Sequence, residues 1–205
     1  MTWLVLTAAN GEHEKLLEYS APTLEAYARR WGMAWRANKI TDTEFPASWN
    51  KIRLIQYYLG IYHGVLWMDA DAMFVRYDED IRPLATASWN WVHNRYTQGD
   101  PVVPCAGVVA CTDDRVPAAL WEMRFRHRDS PWWEQSAAHE FFGWDRRTGA
   151  LTQNLDLQAE LPARWDSTPA SPSEDPVVFH ASGLPMAERV RLMRDCAEAH
   201  PAPTR

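Results

Sequence analysis

No uninterrupted apolar run in the sequence approaches the roughly 18 residues that a membrane-spanning helix requires. The opening stretch, MTWLVLTAANGEHEK, has neither a basic leader nor a long apolar segment, so no secretory signal is expected. Cysteine is scarce: Cys105, Cys111 and Cys196 stand at no metal-like spacing. They read as reduced thiols of a cytoplasmic protein, and a Cys105–Cys111 bridge is disfavoured. Positive charge is in deficit as well. A net charge of −6 argues against a nucleic-acid backbone as the main partner, although a nucleotide needs only a local cationic spot. Only Lys15, Lys39 and Lys51 among the 21 cationic residues are lysines, a bias read here as compositional. No internal repeat is visible.

What is present suits one globular unit. The 205 residues are 46% hydrophobic, enough for a substantial core, with residues 198–205 expected as a frayed tail. Twelve tryptophans are available to fill that core or to stack on sugar rings. WLVLTAA (3–9) reads as a buried strand, residues 12–31 as a helix ended by Gly32, and MAWRAN (33–38) as a second strand. SWNKIRLIQYYL follows with a helical stripe of Ile52, Ile55, Tyr58, Leu59 and Tyr62, and with Ser48 as the expected N-cap. Gly64 closes it and VLWM is the third strand. Strand–helix–strand–helix–strand order implies right-handed crossovers and a mainly parallel sheet, hence an α/β fold. Strands are further expected at 88–94, 105–112, 161–165 and 176–180, and helices at 114–128, 131–143 and 184–199.

The stretch VLWMDADAMFV holds two aspartates one residue apart between two apolar segments. Open α/β sheets bind ligands beyond the carboxyl ends of their strands, where Asp69 and Asp71 fall. Two carboxylates confined there repel each other unless a cation lies between them. His180, which ends the apolar run VVF, should also emerge at a strand terminus. Two carboxylates and an imidazole suit Mn²⁺ or Mg²⁺, the nitrogen favouring Mn²⁺. The metal ligands expected are therefore Asp69, Asp71 and His180.

Four segments in order resemble a family. SWNKIRLIQYYL with YHGVLWMDADAMF, then CAGVVACTDD, PWWEQSAAHEFF and VVFHASGLPMAER are similar to the metal-dependent GT-A glycosyltransferases. Within these, the resemblance is to the galactosyltransferase family of fungal α-galactosyl- and α-mannosyltransferases and plant xyloglucan xylosyltransferases. It implies the GT-A fold, with a short metal-site strand after the Asp-x-Asp corner. It further implies a retaining transfer from a UDP-sugar, galactose first, to a carbohydrate or other hydroxyl acceptor. By the same resemblance, Thr7, Ala8, Ala9, Lys51, Asp69, Ala70, Gly107, Gly183 and Arg189 would bind the donor. Gly107 would allow close approach beneath the sugar, and Gln135 with Glu134 would lie at its reacting face.

Three departures from the family pattern stand out. CAG replaces N-T-G, Trp133 takes a position often acidic, and no lysine follows His180 closely, leaving Arg189 as its replacement on the diphosphate. Trp132, Trp133, Trp144 and Trp165 are candidates to stack on an acceptor. Two other readings stand beside the transferase. One is a catalytically degenerate nucleotide-sugar- or carbohydrate-binding protein. The other is a haloacid-dehalogenase-like phosphatase, in which Asp113 and Asp114 would complete a Mg²⁺ site.

Overall fold

The computed structural model describes residues 2–41, 43–95 and 101–203. The first half follows the expected alternation. Strand β1 (Trp3–Ala9) leads through a 3₁₀ segment into helix α1 (Leu17–Arg30), then β2 (Ala34–Lys39), α2 (Trp49–Leu59) and β3 (Gly64–Met68). After the aspartate corner come β4 (Ala72–Phe74), β5 (Trp89–Asn94) and β6 (Val103–Cys111). Helices α3 (Arg115–Glu122) and α4 (Trp133–Phe141) precede β7 (Gln158–Leu161), β8 (Val178–His180) and α5 (Met186–Ala199).

Among the described residues the main sheet has the order β2-β1-β3-β6-β5-β7. Pairings β1–β2, β1–β3 and β5–β7 are parallel, while β6 runs antiparallel to both β3 and β5. Alternation along each strand splits the core into two layers. Leu4, Leu6, Trp67, Trp89, Trp91 and Val109 face α2, α3 and α4. Val5, Leu66, Met68, Val108 and Ala110 pack with Leu24 and Tyr27 of α1 on the other side.

Four local expectations need correction. The strand placed at 161–165 lies at 158–161, because Pro162 lacks the N–H to continue the ladder and 163–165 coil into a 3₁₀ turn. Ser48 does not cap α2: its backbone is already helical (φ −59°, ψ −29°), and a capping side chain needs an extended residue. The helix foreseen at 114–128 ends at Glu122. The terminal helix runs through Ala199, so residues 198 and 199 are not frayed, and Arg29 donates to the Pro203 carbonyl at 2.8 Å. Thr204 and Arg205 lie outside the described residues. Cys105 and Cys111 are free thiols.

A two-stranded ladder positions the candidate site. β4 pairs antiparallel with β8, setting Ala72 opposite His180. Tyr27 stacks on Phe74 at 3.8 Å between centroids, and Thr23 Oγ1 accepts the Phe74 N–H at 3.1 Å. Helix α1 thereby fixes the strand that follows the two aspartates.

Candidate metal and donor site

Asp69 follows the last residue of β3, and its backbone N–H donates to Gly107 O of β6 at 2.8 Å. A tight turn then closes through Ala72 N–H to Asp69 O at 2.9 Å, and Asp71 O receives the Ala181 N–H at 2.9 Å. Both aspartates are thus held at the carboxyl end of the parallel strands, with the end of β8 laid beside them. One oxygen or nitrogen from each of Asp69, Asp71 and His180 lies within 4.8 Å of the others. Two carboxylates and an imidazole at this spacing suit a small divalent cation and offer the donor atoms that Mn²⁺ accepts.

The imidazole is oriented from behind. His180 Nδ1 lies 2.7 Å from Asp166 Oδ1, and Nε2 lies 3.2 Å from Asp71 Oδ1. Asp166 is completely buried and its second oxygen accepts from Asn94 Nδ2 at 3.0 Å. A carboxylate behind the imidazole fixes which ring nitrogen faces the ligand position. Burial disfavours a charged His180, but Asp166 and Asp71 outweigh it and raise its pKa well above the ordinary value. Burial likewise works against an ionised Asp71. Facing His180 and Arg189 overcome this and hold its carboxyl below the usual range.

Each aspartate of the corner also has its own cation. Lys51, on α2, uses all three ammonium protons: Ala106 O at 2.7 Å, Glu134 Oε1 at 2.9 Å and Asp69 Oδ1 at 3.0 Å. Its burial opposes the charge, and Asp69 and Glu134 more than compensate, raising its pKa. Arg189 donates to Asp71 Oδ2 at 2.8 Å and to Leu184 O at 2.7 Å. Trp67 Nε1–H adds a 2.6 Å bond to Asp69 Oδ1.

Glu134 and Gln135 open α4 on the cavity side. Glu134 is buried, and its Oε2 has no hydrogen-bond partner among the described residues. Gln135 Oε1 accepts the Ala106 N–H at 3.0 Å, which ties the start of α4 to β6. The turn into that helix puts Trp133 at φ +42°, a left-handed conformation that a bulky residue rarely adopts and that persists only where its surroundings impose it.

These groups line one cavity of about 1050 Å³. Of the residues expected at the site, Ala8, Ala9, Lys51, Asp69, Ala70, Asp71, Gly107, Glu134, Gln135, His180, Gly183 and Arg189 all border it. Thr7 does not; it is buried within β1. Gly107 has a packing duty of its own, since a Cβ there would meet His180 Cε1 at 2.1 Å. Trp132, Trp133 and Trp144 reach the cavity, whereas Trp165 is buried against Tyr27 and Phe74 and cannot stack on a ligand.

Asp113 and Asp114 follow β6, which runs antiparallel to β3. They therefore sit at the opposite edge of the sheet from Asp69, where Asp113 binds Ser88 Oγ and Arg115. The phosphatase reading loses its acidic partners on that geometry. Sequence reasoning missed Asp166, which shares no motif with His180 and meets it only through the fold.

No protein-family model and no curated protein sequence matches the chain. Solved structures do. A glycosyltransferase involved in glycosylation of the major capsid of PBCV-1 superposes with a TM-score of 0.72 at 15% identity, covering 95% of this chain and 100% of that one. The galactosyltransferase LgtC, solved with donor and acceptor sugar analogs, gives 0.62 at 13% identity over 98% of this chain and 97% of its own. The bifunctional glycosyltransferase WbbM gives 0.61 at 11% identity, covering 98% of this chain and 50% of that one. The fold is that of the GT-A glycosyltransferases, as the resemblance implied.

Proposed function

We propose that the chain is a metal-dependent, retaining glycosyltransferase that moves a sugar, galactose first, from a UDP-sugar to a carbohydrate or other hydroxyl acceptor. The observation that carries this reading is the Asp69, Asp71 and His180 cluster on the cavity wall at the carboxyl end of the parallel strands. Similarity in fold to LgtC, a galactosyltransferase, supports the choice of sugar.

Asp69, Asp71 and His180 would hold Mn²⁺ or Mg²⁺, which when bound supplies positive charge opposite a diphosphate leaving group. The chain's own residues do the rest. Ala8 and Ala9, small side chains bordering the cavity at the end of β1, would line the nucleoside. Arg189, bonded to Asp71 on the cavity wall, would meet the diphosphate. As the bond between the anomeric carbon and the phosphate oxygen breaks, positive charge builds on the sugar, and the unpartnered Glu134 Oε2 offers negative charge nearby. Retention follows when the acceptor oxygen forms its bond on the face the phosphate leaves, its proton passing to the departing phosphate oxygen. Gln135, fixed against β6, would position the groups at that face.

Calorimetry with UDP, with and without Mn²⁺, followed by a screen of nucleotide sugars for Mn²⁺-stimulated hydrolysis, tests the reading. Metal-dependent UDP binding with turnover supports it, and metal-indifferent behaviour refutes it. One observation favours the degenerate reading: Lys51 and Arg189 already neutralise the two aspartates without a metal. UDP binding with neither hydrolysis nor transfer would favour that form.

A further inference from the structure

All twelve tryptophans lie among the described residues, and only two are exposed: Trp132 (44%) and Trp133 (42%). They are adjacent in sequence and both border the cavity that holds the aspartate corner. Large apolar side chains left open side by side in a concave site mark a binding surface.

This wall is built rather than incidental. Trp132 lies 5.7 Å from the His139 ring and 6.4 Å from Trp144, and His139 lies 4.3 Å from Trp144. His139 Nε2 bonds Pro104 O at 2.8 Å, and Trp144 Nε1–H donates to Val102 O at 3.0 Å, so the rings behind Trp132 are anchored to the backbone at β6. Trp133 keeps its left-handed backbone directly before Glu134 and Gln135. The cavity volume of about 1050 Å³ lies at the upper end of the ~300–1,000 Å³ usual for small-molecule sites.

We infer that Trp132 and Trp133 form the acceptor subsite, and that the acceptor presents a pyranose ring whose C–H face lies on the indoles. The inference rests on the transferase reading, because it assigns the second substrate of that reaction. A flat aromatic surface recognises the apolar face of a sugar and leaves its hydroxyl groups at the rim free to point toward Gln135. Acceptors lacking a ring with such a face, such as a serine hydroxyl on a bare peptide, gain nothing from this wall.

Saturation-transfer NMR with the methyl pyranosides of glucose, galactose, mannose and xylose, at saturating UDP and Mn²⁺, tests it. The wild type should bind at least one of them through the C–H protons of one ring face. Trp133→Gly suits the positive φ and removes the ring; Trp132→Leu keeps apolar volume behind His139 and Trp144 but loses the flat face. Each should weaken pyranoside binding about tenfold, the upper range for an aromatic contact, and Trp133→Phe should restore most of it. Thermal melts confirm that each variant is folded. A wild type that binds UDP but no pyranoside overturns the acceptor wall alone, as do folded variants whose pyranoside affinity stays within twofold of wild type. A wild type that binds pyranosides but no UDP overturns the transferase reading instead.

Discussion

Replacing Gly107 by alanine should damage the proposed metal site from a position that contributes no ligand. The added Cβ would stand 2.1 Å from His180 Cε1, 2.7 Å from Nδ1 and 3.1 Å from Nε2. Ordinary carbon–carbon contact begins near ~3.5 Å. The imidazole must therefore back away by more than an ångström, or β6 must move. Neither is free. The ring is held by Asp166 at 2.7 Å, and β6 is hydrogen-bonded on both sides and carries the Asp69 N–H contact to Gly107 O. Overpacking of this kind costs ~1–3 kcal/mol, which lowers the melting point by roughly 2–4 °C per kcal/mol in a chain this long. Displacing an imidazole from its supporting carboxylate weakens metal binding ~10–100-fold. Electron paramagnetic resonance of free Mn²⁺ during titration measures the second effect directly. Gly60→Ala, on the far end of α2 with its nearest contact Tyr57 O at 3.3 Å, is the control for a general loss of stability. A Gly107→Ala protein that binds Mn²⁺ within twofold of wild type would show that His180 does not depend on this packing.

Three further outcomes are expected. Asp166→Asn removes the charge behind His180 and sets an amide donor against Asn94 Nδ2 or against the imidazole, so Mn²⁺ affinity should fall by about tenfold; an unchanged titration refutes the positioning role. Lys51→Met leaves Glu134 buried without its cation and should cost ~3–5 kcal/mol in urea unfolding. Adding Glu134→Gln should recover part of that cost, and simple additivity of the two losses would contradict the pairing. Burial pushes the His139 pKa down to about 4, against a bond to Pro104 O that resists the fall. Between pH ~6.5 and ~4 the unfolded chain takes up a proton there that the folded chain refuses. Its contribution is intact above pH ~6.5 and is lost as pH falls toward 4, by about 3 kcal/mol at ~1.36 kcal/mol per unit. The difference in urea stability between wild type and His139→Gln should shrink across that window, and a flat difference refutes the assignment.

Much of the candidate site was legible because Asp69 and His180 stand at the ends of apolar strands. VLWM before Asp69 and VVF before His180 are local patterns that need no knowledge of the fold. The short strand after the corner, which the family resemblance implied, is β4, and it pairs with the very segment that carries the histidine. Longer-range partnerships were invisible. Glu134 reads as one face of an ordinary polar helix, and only the approach of α2 and α4 buries it on Lys51. Asp166 sits in a turn-rich stretch with nothing to distinguish it from a solvated loop aspartate. The antiparallel course of β6 was equally hidden, since a buried strand has the same composition in either direction.

The pairing of β4 with β8 has a consequence for how the molecule is made. Arg189 and Asp71 are 118 positions apart, and the histidine arrives on a segment synthesised after the last strand of the main sheet. A chain stopped before Val178 would thus contain every strand of the main sheet and both aspartates of the corner, yet lack the imidazole that the proposed metal site requires.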